Sequence, residues 1–317
     1  MNLIIGIIIA ILILLFISSV VVMLIITMPI AKKQFENTFV RTSKEKWGRA
    51  NSCPENAEHS LMFDAGIAWA EKYKEYIKEV SIKSDGLTLY GEYFDFGFDK
   101  TAIIIPGRAE SLLYEYYFGE PYRKAGYNVF VPDVRAHGLS EGIYSGLGIK
   151  DKTDIKNWID FLHNEYNCSN FVIHGICIGS STAIFLLAEN QKYLNSIVIE
   201  GPYASFYNVL KQRIRTAGHI SFPVAEEMAL LVLSKIKVNI FTQRPIKYIK
   251  KIKKPILFLC GKEDVSSLPK LADKMYKVCG SKDKERVWFE HGAHSHLRIA
   301  DTEKYDNSII EFLNKYN

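Results

Sequence analysis

At 317 residues, with 48% hydrophobic and 24% charged side chains, the chain has an ordinary globular composition. That excludes a disordered tail protein, a collagen-like fibre and a polytopic membrane protein, and a net charge of +5 is too small for this length to imply nucleic acid. Five cysteines, odd in number and spread from Cys53 to Cys279 without a CxxC pair, argue against a disulfide framework or a zinc module.

The first element is apolar. No charged residue occurs from Leu3 to Ile30, and such a run exceeds the roughly 20 residues that cross a bilayer core. A signal peptide would need a basic n-region, a shorter apolar core and a small-residue cleavage site. No Lys or Arg precedes this run. A buried core helix would rarely be so uniformly apolar over seven turns. Residues 1–30 therefore read as an uncleaved single span. Residues 31–50 hold Lys32, Lys33, Arg41, Lys44, Lys46 and Arg49 against Glu36 and Glu45, whereas the other flank offers only the α-amino group. Positive flanks stay cytoplasmic, so the N-terminus is expected outside and the large domain inside. Unpaired cysteines agree with a reducing compartment.

A polar juxtamembrane stretch (31–60) and a helical pattern to about Tyr76 come next, giving a linker region 31–78. The remaining residues, 79–317, form the expected catalytic-type domain. Strand-like runs at Glu79–Lys83 and Leu87–Phe94 flank an Asp85-Gly86 turn. Further short runs follow at Ala102–Ile105, Tyr127–Val131, Phe171–His174, Ser196–Ile199, Pro255–Cys260 and Arg286–Phe289. Helical patterns lie between them, at Asp151–Glu165, Ile178–Glu189, Leu268–Val278 and Glu303–Leu313. This alternation predicts an α/β fold, a mainly parallel sheet with helices on both faces. The gap of about 201–254 is too long for one crossover and reads as an inserted helical lid. Between Phe206 and Lys254 it carries eleven basic residues against Glu226 and Glu227. That bias suits either a solvated helical face or a surface turned towards anionic lipid.

Chemistry concentrates at Gly175-Ile176-Cys177-Ile178-Gly179, where a strand runs into a helix through G-x-C-x-G. A nucleophile elbow needs this pattern. Its central residue is strained, and side chains at the two glycines would clash with strand and helix. Here the chain resembles an α/β-hydrolase with cysteine in place of the usual serine, over roughly residues 79–315. The nearest grouping is the bacterial membrane-anchored, serine aminopeptidase-like hydrolases. Pro106-Gly107-Arg108 resembles the strand-end loop that supplies an oxyanion-hole amide, with Pro106 in place of the usual His. Asp133-Val134-Arg135-Ala136-His137-Gly138-Leu139-Ser140 resembles the structural D-x-R-x-x-G-x-S loop. Gly261-Lys262-Glu263-Asp264 and Gly292-Ala293-His294 resemble the G-x-x-D and late G-x-H that place acid and base.

The resemblance implies Cys177 as a thiolate nucleophile, His294 as its partner and proton donor, and Asp264 as the group that holds the imidazole. It implies an oxyanion hole of the Arg108 and Ile178 amides, with Gly175 and Gly179 as elbow glycines. Alternatives stay open. Cys177 is also compatible with an inert core residue in a binding protein, His291 or His296 with the role of base, and Glu200 with that of acid. The His291, His294 and His296 spacing hints at a metal but lacks a completing carboxylate pattern. His174 and His137 read as structural, and Cys168, Cys260 and Cys279 as core or surface thiols. An acyltransferase reading rests on a similarity to the cysteine elbow of polyhydroxyalkanoate synthases. The expected activity is ester or thioester hydrolysis on a small-molecule or lipid-like acyl substrate. No cofactor fingerprint is present, no metal is expected, and the expected partners are the substrate and a membrane, met by the span and the basic lid, not nucleic acid.

Overall fold

Each strand-like run becomes a strand in the computed structural model, which describes residues 2–317. Met1, whose α-amino group was the expected charge on the outer flank, lies outside the described residues. The strands are β1 (Ile77–Ser84), β2 (Leu87–Phe94), β3 (Lys100–Ile105), β4 (Asn128–Pro132), β5 (Asn170–Ile176), β6 (Leu194–Glu200), β7 (Ile256–Gly261) and β8 (Lys284–Phe289). They form one sheet in the order β1-β2-β4-β3-β5-β6-β7-β8. Only the pairings β1 with β2 and β2 with β4 are antiparallel. The β1–β2 hairpin turns at Asp85 and Gly86, both at positive φ (52° and 78°), as the mirror-image two-residue turn requires.

The helices are α1 (Asn2–Phe39), α2 (Ala57–Lys72), α3 (Leu112–Glu115), α4 (Gly119–Lys124), α5 (Asp151–Tyr166), α6 (Ile178–Ala188), α7 (Phe206–Thr216), α8 (Val224–Leu231), α9 (Pro245–Tyr248), α10 (Pro269–Val278), α11 (Leu297–Ala300) and α12 (Thr302–Tyr316). Two compact units emerge. One joins the chain up to Phe39 with Tyr207–Phe241, and the other comprises Val40–Phe206 with Thr242–Asn317.

In the larger unit the central strands β4, β5 and β7 are buried almost throughout, because helices cover both faces of a parallel sheet. Period two sorts their side chains. Ile103 and Ile105 join Trp158, Ile159 and Ile184 on one face. Ala102 and Ile104 join Phe118, Tyr122, Tyr305 and Phe312 on the other. The loop after β4 is an ionic lock rather than a site. Asp133 is fully buried and accepts from Arg49 Nε at 2.8 Å, while Arg135 grips Asp154 through Nε and Nη2, each at 2.7 Å.

In the smaller unit α1 continues past Ile30, at which the apolar run ends, to Phe39. Its 38 residues make about 57 Å of helix, against a hydrocarbon core of about 30 Å. From Ile4 onward it is long and apolar enough to cross a membrane. Its C-terminal part packs against α8. There Thr27 Oγ1 donates to Glu227 Oε1 at 2.7 Å, and Ala31, Phe35 and Phe39 are buried.

Candidate active site

The parallel strands all point their C-terminal ends at one edge of the sheet, which is where ligands meet α/β sheets. Cys177 sits between β5 and α6 with φ 53° and ψ −109°. An L-residue tolerates that conformation only when the surroundings enforce it. Here the Cys177 amide donates to the Glu200 carbonyl at 2.9 Å. The Ser180 hydroxyl reaches the carbonyls of Gly175 (2.6 Å) and Glu200 (2.8 Å). A side chain at Gly175 would overlap the Gly179 carbonyl, and one at Gly179 would overlap the Ile105 carbonyl. Strand, helix and the neighbouring strand end thus pack backbone to backbone, and the thiol is left at the outside of the turn.

His294 and Asp264 arrive from the ends of β8 and β7. The imidazole Nδ1 lies 2.7 Å from Asp264 Oδ2. The other carboxylate oxygen accepts from the amides of Ser266 (2.8 Å) and Ser267 (2.6 Å). Burial alone would raise the Asp264 pKa, but His294 and these two amides hold it below the ordinary value. Burial likewise opposes a charged His294. Its pairing with the Cys177 thiol and with Asp264 nonetheless raises its pKa well above the ordinary value. Cys177, His294 and Asp264 therefore form one connected relay.

The competing residues go elsewhere. His291 is exposed and faces Glu263 at 3.3 Å. His296 is buried with Nδ1 3.2 Å from Glu58. Glu200 is fully buried and accepts from the Tyr305 hydroxyl and the Leu297 amide rather than from His294. Burial pushes its pKa up to about 7. His174 lies behind the elbow, 3.2 Å from the Tyr305 hydroxyl, and burial lowers its pKa to about 3. His137 stacks on Trp47 at 4.6 Å and is pushed down to about 4 by burial. Both are neutral packing groups. Among the described residues, no cluster of His, Cys, Asp and Glu is arranged to hold a metal ion. None of the five cysteines is in a disulfide.

The loop after β3 runs alongside the thiol. A Cβ on Gly107 would stand 3.7 Å from Cys177 Cβ and 3.8 Å from Glu110 Cγ. Arg108 follows Gly107 in this loop, and Ile178 opens α6 directly after Cys177.

Sequence reasoning missed three contributors. Gly201, at φ 56°, leaves room for the base, since a Cβ there would stand 2.7 Å from His294 Cε1. The Glu-Gly-Pro run that closes β6 was the available signal. Glu110 and Glu115 carried none, since one precedes and the other closes α3, a helix of four residues too short to show a periodic pattern. Burial pushes Glu110 up to about 7, although Ser52 donates to it at 2.8 Å. Glu115 is fully buried near the Gly107 amide and Cys177, with neither oxygen in a close hydrogen bond, and burial raises its pKa well above the carboxylate range.

Comparison with known proteins agrees with this architecture. Residues 101–218 match a family model described as alpha/beta hydrolase fold. The esterase Pf2001 of Pyrococcus furiosus superposes with a TM-score of 0.64 at 24% identity, over 78% of this chain and 95% of that one. An acylaminoacyl peptidase of Pyrococcus horikoshii superposes with a TM-score of 0.59 at 19% identity, over 76% of this chain and 41% of that one. In sequence, the chain is 26% identical over 224 residues to the uncharacterized protein YqkD of Bacillus subtilis, covering 68% of this chain and 72% of the relative. It is 25% identical over 194 residues to a Saccharomyces cerevisiae protein named as an uncharacterized membrane protein, covering 61% of this chain and 62% of the relative.

Proposed function

The chain has the α/β-hydrolase fold, and on that premise we propose that it is a membrane-anchored acyl hydrolase acting on ester or thioester bonds through Cys177. The observation that carries this reading is the relay in which Asp264 holds His294 at 2.7 Å and His294 pairs with the thiol. A pairing that favours imidazolium favours thiolate by the same amount, so the nucleophile is charged before substrate arrives. The thiolate attacks the acyl carbon, and the carbonyl π pair moves onto oxygen. That oxyanion is met by the Ile178 and Arg108 amides, each such donor contributing about 3 kcal/mol in comparable sites. When the tetrahedral intermediate collapses, the leaving alkoxide or thiolate takes the proton from His294. His294 then draws a proton from water, and the resulting hydroxide attacks the thioester. Free acid leaves, and the thiolate–imidazolium pair is restored.

Anchoring rests on α1, and the yeast relative's name agrees with it. The basic flank after Ile30 supports a cytoplasmic side for the catalytic unit, and five cysteines without a disulfide agree with it. The names of the two structural relatives, an esterase and an acylaminoacyl peptidase, fall within the same acyl chemistry.

The test is direct. Full-length protein is mixed with a panel of activated esters and thioesters, quenched in acid and mapped by mass spectrometry. The expected result is an acyl adduct on Cys177 that disappears with time and accumulates in His294→Ala. Turnover without any adduct on Cys177, or no turnover together with slow iodoacetamide labelling of Cys177, would overturn the reading in favour of another nucleophile or a binding protein.

A further inference from the structure

The smaller unit presents apolar side chains at a place where water is not their natural solvent. Along α1, Val20, Met23, Thr27, Ala31, Phe35 and Phe39 are withdrawn from solvent at the three- and four-residue spacing of one helical face, with the half-buried Met28, Ile30, Gln34 and Thr38 flanking them. Thr27 on this stripe bonds Glu227 of α8. Thr27 and Ala31, four apart, have counterparts in the buried Ala225 and Ala229 of α8, and small residues at that interval let helices approach closely. Beside the stripe, at the level of Thr27, α1 is still lipid-like, with Ile25 68% and Ile26 63% exposed. The first charge comes only at Lys32, about 7.5 Å further along the axis. Lipid that covers Ile25 and Ile26 on one side of α1 therefore lies level with α8 on the other.

The insertion is built for that medium. In the turn between α7 and α8, Ile220 is 81% and Phe222 60% exposed. Leu230 and Leu233 continue the exposed apolar surface along and just beyond α8. Lys211, Arg213 and Arg215 on α7, and Lys235 and Lys237 after α8, bracket this surface with positive charge. The two acidic groups of α8 are withdrawn from it. Glu227 is buried against Thr27, and Glu226 accepts from the Tyr207 hydroxyl. Apolar residues bracketed by Lys and Arg, with the acids turned inward to hydroxyl partners, are the pattern of an element lying in the headgroup–acyl boundary, where such faces sink about 5–10 Å.

We propose that Tyr207–Phe241 is a second membrane element, inserted from one side into the same leaflet boundary that α1 crosses, with Ile220 and Phe222 as its lipid-facing tip. The proposal rests on α1 spanning a bilayer. Continuity with the exposed apolar surface of α1 selects lipid as the occupant rather than a second copy of the chain.

The test uses full-length protein in anionic lipid vesicles, with a single added indole at the tip, Ile220→Trp in one variant and Phe222→Trp in another. Both positions are exposed, so the larger ring is tolerated. Difference spectra against the parent remove the four native tryptophans. The expected result is blue-shifted emission from the added indole that is mostly lost when the lipid carries bromine near the headgroup end of its acyl chains. Water-like emission insensitive to bromine in both variants would overturn the proposal. So would blue-shifted emission that bromine leaves intact, because the tip would then be covered by protein. Alkaline carbonate extraction of the same samples separates the two readings. Protein that stays in the membrane with an unquenched tip refutes the inserted element alone, and protein released from the membrane refutes the span itself.

Discussion

In the proposed mechanism Cys177 differs from a serine nucleophile in when it loses its proton. A thiol paired with an imidazolium is ionised before attack, whereas a serine hydroxyl must be deprotonated during it. Cys177→Ser is expected to fold and to lose on the order of 100-fold or more in kcat/KM, and parent-like rates in a steady-state assay would show an ordinary serine-hydrolase pocket. The proposed base is the histidine with the fitting contacts, since of the three neighbouring histidines His294 meets both Asp264 and the thiol. His294→Ala is expected to cost at least about 100-fold, while His291→Ala and His296→Ala retain most activity. An essential His296 with a dispensable His294 would reverse the assignment. Glu115 offers a pH test. Below its ordinary value of 4.5 the carboxyl is protonated folded or unfolded. As pH rises past that value it ionises only in the unfolded chain, because burial raises the folded pKa, so stability is progressively lost. Glu115→Gln removes this loss. Its melting temperature relative to the parent should climb from about pH 4.5 towards neutrality, and a difference flat in pH would mean that Glu115 is not a buried neutral acid.

At the scale of elements, the two junctions that define this protein are the β5–α6 elbow and the α1–α8 contact. The elbow is enforced by backbone contacts at Gly175 and Gly179, so its geometry is independent of what the central side chain is. Serine and cysteine are both compatible with it, and the relay decides which chemistry results. The α1–α8 contact depends instead on one hydrogen bond within an apolar seam. Thr27→Val leaves Glu227 buried without its donor, a loss of about 1–3 kcal/mol. Trypsin cleavage at Arg213, Arg215 and Lys235 proceeds through local opening of this unit, so it should accelerate by roughly tenfold in bilayer nanodiscs. An unchanged cleavage rate would show that the seam holds without that bond.

For the whole molecule, the parallel sheet gathers residues that lie far apart in the chain. Gly107, Cys177, Gly201, Asp264 and His294 come from the ends of five strands. The proposed topology rests on charge, since the basic residues of 31–50 beside the uncharged run before them favour a cytoplasmic side for the larger unit. A green fluorescent protein fused after Asn317 should therefore fluoresce in cells, and an alkaline phosphatase fused there should be inactive. The opposite pair of results would invert the topology.

The amino-acid sequence by itself determined the strand runs, the elbow and the apolar span, because each depends on local periodicity or on contacts between near neighbours. Ile103 to Ile105, the G-x-C-x-G run and the uncharged stretch from Leu3 to Ile30 are all legible without knowing what they touch. The choice among His291, His294 and His296 was different. The Gly292-Ala293-His294 run favoured His294 only through resemblance, and the approach of the β7 and β8 loops is what brings it to Asp264 while sending His296 to Glu58. Gly201 matters because the imidazole occupies the space its side chain would need, a contact that exists only in the folded chain. Nothing in the sequence marked Glu110 and Glu115, since burial is a property of the packed fold and a four-residue helix is too short to leave a periodic trace. The insertion read as a basic surface, either solvated or turned towards anionic lipid, because charge can be counted along a chain. Its apolar tip and its seam with α1, about 200 residues away in sequence, exist only in three dimensions.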